Sequence, residues 1–142
     1  MLEGKGHFAR QHKMMGFFAR VYLKVDTDSI NYYCTFECSG KGFYSQGDIE
    51  EVAATGYNDW KAGAEIGTKY ALKVAQKEHY GVIITKIEGV GTDTNPTVVG
   101  TAAAFAVWDA LNFKPSEEII DKITQITLSS GSRDKWDQLP DF

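Results

Sequence analysis

The residues whose chemistry reaches beyond packing are three histidines, two cysteines and two adjacent carboxylate pairs. His7, His12 and His79 lack the spacing that aims imidazoles at one metal from a helix, and neither HExxH nor CxxC is present. They read as surface or loop histidines. Cys34 and Cys38 lie four apart in a stretch that reads as a strand. That places them about 13 Å from each other at ~3.3 Å per residue, beyond the roughly 7 Å between Cα atoms that a disulfide spans. They read as buried thiols in a reduced compartment. Glu50–Glu51 and Glu117–Glu118 are neighbours whose side chains diverge, so they read as solvated charges at helix starts rather than as acid/base pairs. The chain has no GxxxxGK[ST] and no GxSxG, hence no phosphate loop and no nucleophile elbow. No catalytic residue, metal ligand or cofactor is expected.

Two stretches carry binding chemistry instead. The turn Gly89–Thr97 (GVGTDTNPT) runs into a helix N-terminus, where free N–H groups and the helix dipole hold anions. Thr92, Asp93, Thr94 and Asn95 are its anion-binding candidates. Against that, Asp93 repels an anion, and Asp93, Thr94 and Asn95 are themselves good partners for those N–H groups. The second stretch is the basic, glycine-containing N-terminal segment. Lys5, Arg10, Gln11, His12 and Lys13 are its candidates for contacting RNA phosphates or a partner. The alternative is a solvated, partly frayed terminus.

The elements that position these residues follow from hydrophobic periodicity. Phe17, Ala19, Val21, Leu23 and Val25 alternate with polar or aromatic neighbours, which predicts a half-buried strand. Turn chemistry at Asp26–Ser29 leads to a second alternating run, Ile30–Cys38, expected antiparallel to the first. Phe43–Tyr44 suggests a short third strand. A helix is expected over Asp59–Lys77, capped by Asn58 or Asp59, with Gly63, Gly67 and Ala71 at four-residue intervals. Glycine costs a helix ~1 kcal/mol relative to alanine, so close packing must compensate. Tyr80–Glu88 reads as a buried strand. Asn95–Pro96 is a cap followed by proline at the first helical position. The helix it opens, Thr97–Leu111, is apolar on nearly every side and must be covered on nearly every side. Pro115–Ser116 then opens an amphipathic helix bearing Ile119, Ile120, Ile123 and Ile126.

Length and composition agree with a single α+β domain over 1–142. Its core is expected at about 14–112, a C-terminal helix at about 116–128 and an irregular tail at 129–142. Hydrophobic residues make up 43% and charged ones 24%, which excludes a disordered chain. The net charge of −4 argues against DNA binding, which calls for a broad basic surface. Val90–Val107 is too polar for a membrane span, and MLEGKGHFARQ has no apolar stretch of a signal peptide. The expected location is the cytoplasm.

Several of these residues together resemble a known family. EGKGHFARQ is similar to the start of domain IV of bacterial elongation factor G and of the tetracycline-resistance ribosomal protection proteins, with Arg10 and Gln11 at the family's Arg-Gln. In DWKAGAEIGTKYAL, Asp59, Trp60, Gly67 and Ala71 match its helix. Asp93 with Ala102, Ala106 and Ala110 looks like its Asp-Ser-Ser turn and following helix. The likeness spans about Glu3 to Leu111 and implies a mostly antiparallel, two-layer sheet with helices on one face, in the order strand-strand-helix-strand-helix. It also implies ribosome or RNA binding without catalysis. Two departures bear on that role. His12–Gly16 replaces the family's Gly-rich loop, and Val90 or Gly91 stands where a histidine is expected. A GTPase domain is absent from the sequence.

Three functions follow as expectations. The first is a stand-alone, non-catalytic domain that binds ribosomal RNA or a translation partner. The second is a protein-interaction module that uses exposed aromatics such as Trp108, Trp136 and Tyr44, or self-associates through the Ala-rich helix. The third is a small-molecule site at Gly89–Thr97. RNA binding requires Lys5, Arg10, Lys13, Arg20 and Lys24 on one surface unbroken by carboxylates.

Overall fold

The structure is a computed structural model that describes residues 1–43 and 48–142. The elements run β1 (Leu2–His12), β2 (Met15–Asp26), β3 (Cys34–Phe36), β4 (Glu50–Glu51), α1 (Asn58–Val74), β5 (Gly81–Gly89), α2 (Pro96–Ala110) and α3 (Glu117–Ser129). The fold is α+β, with helices on one face of a mostly antiparallel sheet of order β1-β2-β5-β3; β4 also pairs with β5. β1 and β2 form one unbroken antiparallel hairpin from Leu2↔Val25 to His12↔Met15. Lys13 and Met14 turn it with φ of 51° and 66°, the left-handed pair that matches the twist of the two strands.

α2 organises the rest. It starts as expected, with the Asn95 side chain accepting from Val98 N and Pro96 in the first turn. Thirteen of its residues, Pro96–Ala104, Ala106–Trp108 and Ala110, are buried. One side lies on β1 and β2, another on α1, and α3 packs beside it. Small residues make this possible. A Cβ on Gly4 or Gly6 would fall within 3.0 Å of the backbone oxygens of Ala106 and Ala102, and one on Gly63 or Gly67 would collide with those of Pro96 and Gly100. The glycine repeat in α1 is therefore the groove that receives α2.

The hairpin is the largest departure from expectation. The N-terminal segment is not frayed, and the core extends to it: Phe8 is buried and Gly4 and Gly6 touch α2. Its inward positions read Gly, Gly, Phe, so the apolar alternation that marks β2 is missing. The run Ile30–Cys38 yields only β3, and β3 runs parallel to β5 rather than antiparallel to β2. β5 takes the place beside β2, antiparallel from Ala19↔Gly89 to Asp26↔Gly81, with a bulge at Tyr22/Leu23. Ile30 stays exposed. Phe43 is exposed and in no strand, and Tyr44 lies outside the described residues; Gly42 instead bridges Glu51. Neither Asn58 nor Asp59 caps α1, whose cap position is Tyr57, with φ 56° and no side-chain bond.

Trp108 is not an exposed aromatic. It is buried, and its Nε1 donates to Ala71 O at 3.0 Å. Most of α2 is covered by this chain's own elements, while Phe105 is half-buried and Asp109 exposed. α3 is capped by Ser116, with Glu117 and Glu118 in its first turn, as read from the sequence. Beyond it the chain has no regular element but is anchored. Pro140 is buried, and the Phe142 ring lies tilted against that of Tyr70, with centroids 5.3 Å apart. No helix among the described residues is long and apolar enough to cross a membrane.

The glycine contacts can be tested directly. Gly6→Ala is expected to cost about 3 kcal/mol, the upper range for overpacking, because the clash is with backbone. Gly56→Ala, where φ is +83° and nothing lies within 4 Å, is expected to cost only ~1 kcal/mol, through its left-handed backbone. Urea denaturation midpoints of the two variants check the difference.

Candidate binding surface

With the helices on one side, the other face of the sheet is open. Along β2 the odd residues Phe17–Val25 are buried, while Phe18, Arg20, Tyr22 and Lys24 are half-buried on the open side. The pairing sets rows across the strands: Glu3 beside Lys24 and Ile83, Lys5 beside Tyr22 and Lys86, and His7 beside Arg20 and Glu88. Cations lie on aromatic rings here. Lys5 Nζ and Lys86 Nζ sit 5.3 and 5.4 Å from the Tyr22 centroid, and Arg20 sits 5.2 Å from that of Phe18. Each such contact contributes about 0.5–1 kcal/mol at an exposed site, so the array orders side chains more than it stabilises the fold.

Carboxylates run through the same surface. Glu88 faces Arg20 Nε at 3.4 Å and Lys86 Nζ at 4.0 Å, and Glu51 faces Lys86 at 3.6 Å. Arg20 Nε and Glu88 Oε1 are sequestered from solvent yet lack a hydrogen bond, so their attraction is electrostatic with poor alignment. The basic candidates do not converge. Lys5 is on the open face and Arg10 shares the inward parity of Gly4, Gly6 and Phe8. Gln11 and His12 close the end of β1, and Lys13 is at the hairpin tip. The five-cation surface that RNA binding requires is thus interrupted by Glu88 and Glu51 and divided by Arg10.

At the Gly89–Thr97 turn the side chains bond to their own chain. Thr94 Oγ1 accepts from Val90 N at 2.7 Å and donates to Phe18 O, and Phe18 N donates to Asp93 O at 2.9 Å. Asn95 Oδ1 caps Val98 N at 2.8 Å while its Nδ2 donates to Ser130 Oγ at 3.0 Å. Thr94 and Asn95 are buried, and Thr92 Oγ1 donates to Asp93 Oδ1 at 3.1 Å. The turn caps α2 and ties it to β2 and to the end of α3.

One polar pair escaped the sequence reading. Glu50 is not a solvated helix-start charge. It sits buried in β4, accepting from the Tyr57 hydroxyl at 2.6 Å. Burial, with Glu50 adding to it, pushes the Tyr57 hydroxyl up to about 12. Only the tertiary pairing of β4 with β5 buries it, and a Glu-Glu doublet carries no local sign of that. Both cysteines are free thiols, Cys34 in β3 and Cys38 buried beyond its end. Burial first, then the nearby Glu65 carboxylate, pushes Cys34 up to about 11. Among the described residues no group of three or more His, Cys, Asp or Glu side chains is placed to hold a metal ion.

No family model matches the chain, and no curated protein matches it by sequence. Among solved structures, the chain is similar to a crystal structure of a protein from Thermus thermophilus, with a TM-score of 0.56 and 14% identity over 88% of this chain. This chain spans 20% of that protein's length. At such identity the likeness is one of fold.

The buried groups can be probed one at a time. Tyr57→Phe leaves Glu50 without its hydroxyl donor and is expected to cost about 1–3 kcal/mol in urea denaturation. Cys34 holds its proton more tightly when folded, since its ordinary value is 9.0. Its contribution is therefore complete below pH 9 and lost as pH rises from about 9 to about 11, on the order of 3 kcal/mol. Cys34→Ala should flatten the stability profile across that interval, and a profile identical to the parent's would contradict the assignment.

Proposed function

We propose that this chain is a non-catalytic binding domain of translation-factor type, which recognises a protein partner through the open face of its sheet. The observation that carries this is the composition of that face. Cations laid on Tyr22 and Phe18 alternate with carboxylates already paired to them. Such a surface complements a partner with charges of both signs and fixes its register. A phosphate backbone favours uninterrupted positive charge, which Glu51 and Glu88 break. The translation-factor part is supported by the sequence resemblance to elongation factor G domain IV and by the agreement between the fold that resemblance implies and the one described above.

RNA remains a second reading on one specific observation, the stack of Lys5 and Lys86 on Tyr22, since aromatic–cation platforms also receive unpaired bases. Capture from native cells with the parent chain and with a Tyr22→Ala/Lys86→Glu variant distinguishes them. The expected result is a protein that stays bound at moderate salt and is lost, at least tenfold, with the variant. Ribosomal RNA whose capture falls steeply with salt would replace this reading with the second, and capture unaffected by the variant would overturn both.

A further inference from the structure

β1 is the terminal strand of the sheet, eleven residues long, with no proline and no break in its pairing to β2. Residues of an antiparallel strand alternate between bonding the neighbour and facing away from it. The Lys5 N–H faces away, donating to Asp109 Oδ2 at 2.9 Å. By alternation, His7, Ala9 and Gln11 also present their N–H and C=O groups outward, while Gly4, Gly6, Phe8 and Arg10 bond β2. β2 agrees. Phe18 and Tyr22, opposite Ala9 and Lys5, direct backbone groups to the far side, Phe18 to Asp93 and Thr94, and Tyr22 to Thr85. Among the described residues, no partner bonds the outward backbone groups of His7, Ala9 and Gln11.

An open edge of this kind is normally blunted by a bulge, a proline or a covering segment. Here Asp109 of α2 covers it only at Lys5. Beyond that point the exposed charges are positive: Arg10 on β1 and Lys13 on the adjoining turn. A second copy would bring like charges together. Phe105, half-buried and 6.5 Å from the Phe8 ring, offers an apolar contact on the helix side.

We infer that the His7–Lys13 edge of β1 binds an extended, acidic segment of a partner protein as an added strand. Main-chain bonds to His7, Ala9 and Gln11 hold the segment, and alternate side chains meet Phe105 on one face and the cations along the edge. Asp109 stops it at Lys5, because its carboxylate occupies the next outward N–H and repels an acidic chain. This gives Arg10, Gln11, His12 and Lys13 a shared role that no single face of the sheet provides. The inference stands apart from the open-face reading: a chain that loses its captured partner with Lys86→Glu but keeps edge binding separates the two.

The test uses the full chain and two synthetic eight-residue peptides, one alternating valine with glutamate and one alternating valine with lysine. Fluorescence anisotropy should show binding of the glutamate peptide at least tenfold tighter than the lysine peptide. Ala9→Pro removes an outward N–H without touching the pairing to β2 and should weaken binding at least tenfold. Arg10→Glu should reverse the preference between peptides. Unchanged binding by a folded Ala9→Pro variant, or equal binding of both peptides, overturns the inference. Should Ala9→Pro fail to fold, amide exchange on the parent chain decides. The His7, Ala9 and Gln11 amides must slow when the glutamate peptide is added, and unchanged exchange overturns the inference.

Discussion

Everything in this domain depends on how closely the backbone of α2 approaches its neighbours. Gly4 and Gly6 on one side and Gly63 and Gly67 on the other leave no room for a Cβ against the α2 carbonyls. Dispersion falls off steeply with separation, so backbone contact along a helix of alanine, glycine and threonine recovers packing that its small side chains would otherwise forgo. Trp108 and the Thr101–Thr127 hydroxyl pair then fix where along the groove the helix sits. Sliding α2 by one turn would strand the Trp108 indole without its acceptor.

Enclosing α2 determines what remains for binding. All three helices are committed to one side of the sheet, so the other side and the β1 edge are left to solvent or to a partner. Polar pairs across neighbouring strands keep the open face soluble without covering it. Arg20 with Glu88 and Lys86 with Glu51 hold their charges in place, while Tyr22 and Phe18 lie beneath the cations. At the N-terminus of α2, which in isolation would attract anions, the Asn95 side chain caps Val98 N, while Thr94 binds Val90 N and Ser130 holds the Asn95 amide. These polar residues serve the joint between β2, α2 and α3. Fold and function therefore separate here: the scaffold is an α+β sheet with helices on one face, and the recognition proposed for it rests on surface chemistry particular to this chain.

Much of the architecture was legible in the residues themselves. Alternation marked β2, the Asn95–Pro96 cap marked the start of α2, and its uniform apolarity required a central helix. The Gly63/Gly67 repeat required a close neighbour. These are local signals, in which period and cap chemistry express backbone geometry directly. The candidate surface was legible only as a list of charges. Lys5, Arg10 and Lys13 looked like one cluster because they are near in sequence, yet β-strand alternation sends Lys5 and Arg10 to opposite faces.

What the sequence determined by itself was the set of helices, the central strand β2 and the absence of a familiar catalytic motif, because each is written in neighbouring residues. What the tertiary structure decided was which segments pair. β1 became a strand because α2 needed glycines beneath it, and the run around Cys34 became a parallel partner of β5 because β5 took the place beside β2. Glu50 became a buried acceptor, Trp108 a core residue and the Asn95 turn a structural joint for the same reason. Each outcome depends on contacts between residues far apart in the chain, and no local pattern encodes the partner that a backbone or a carboxylate will meet.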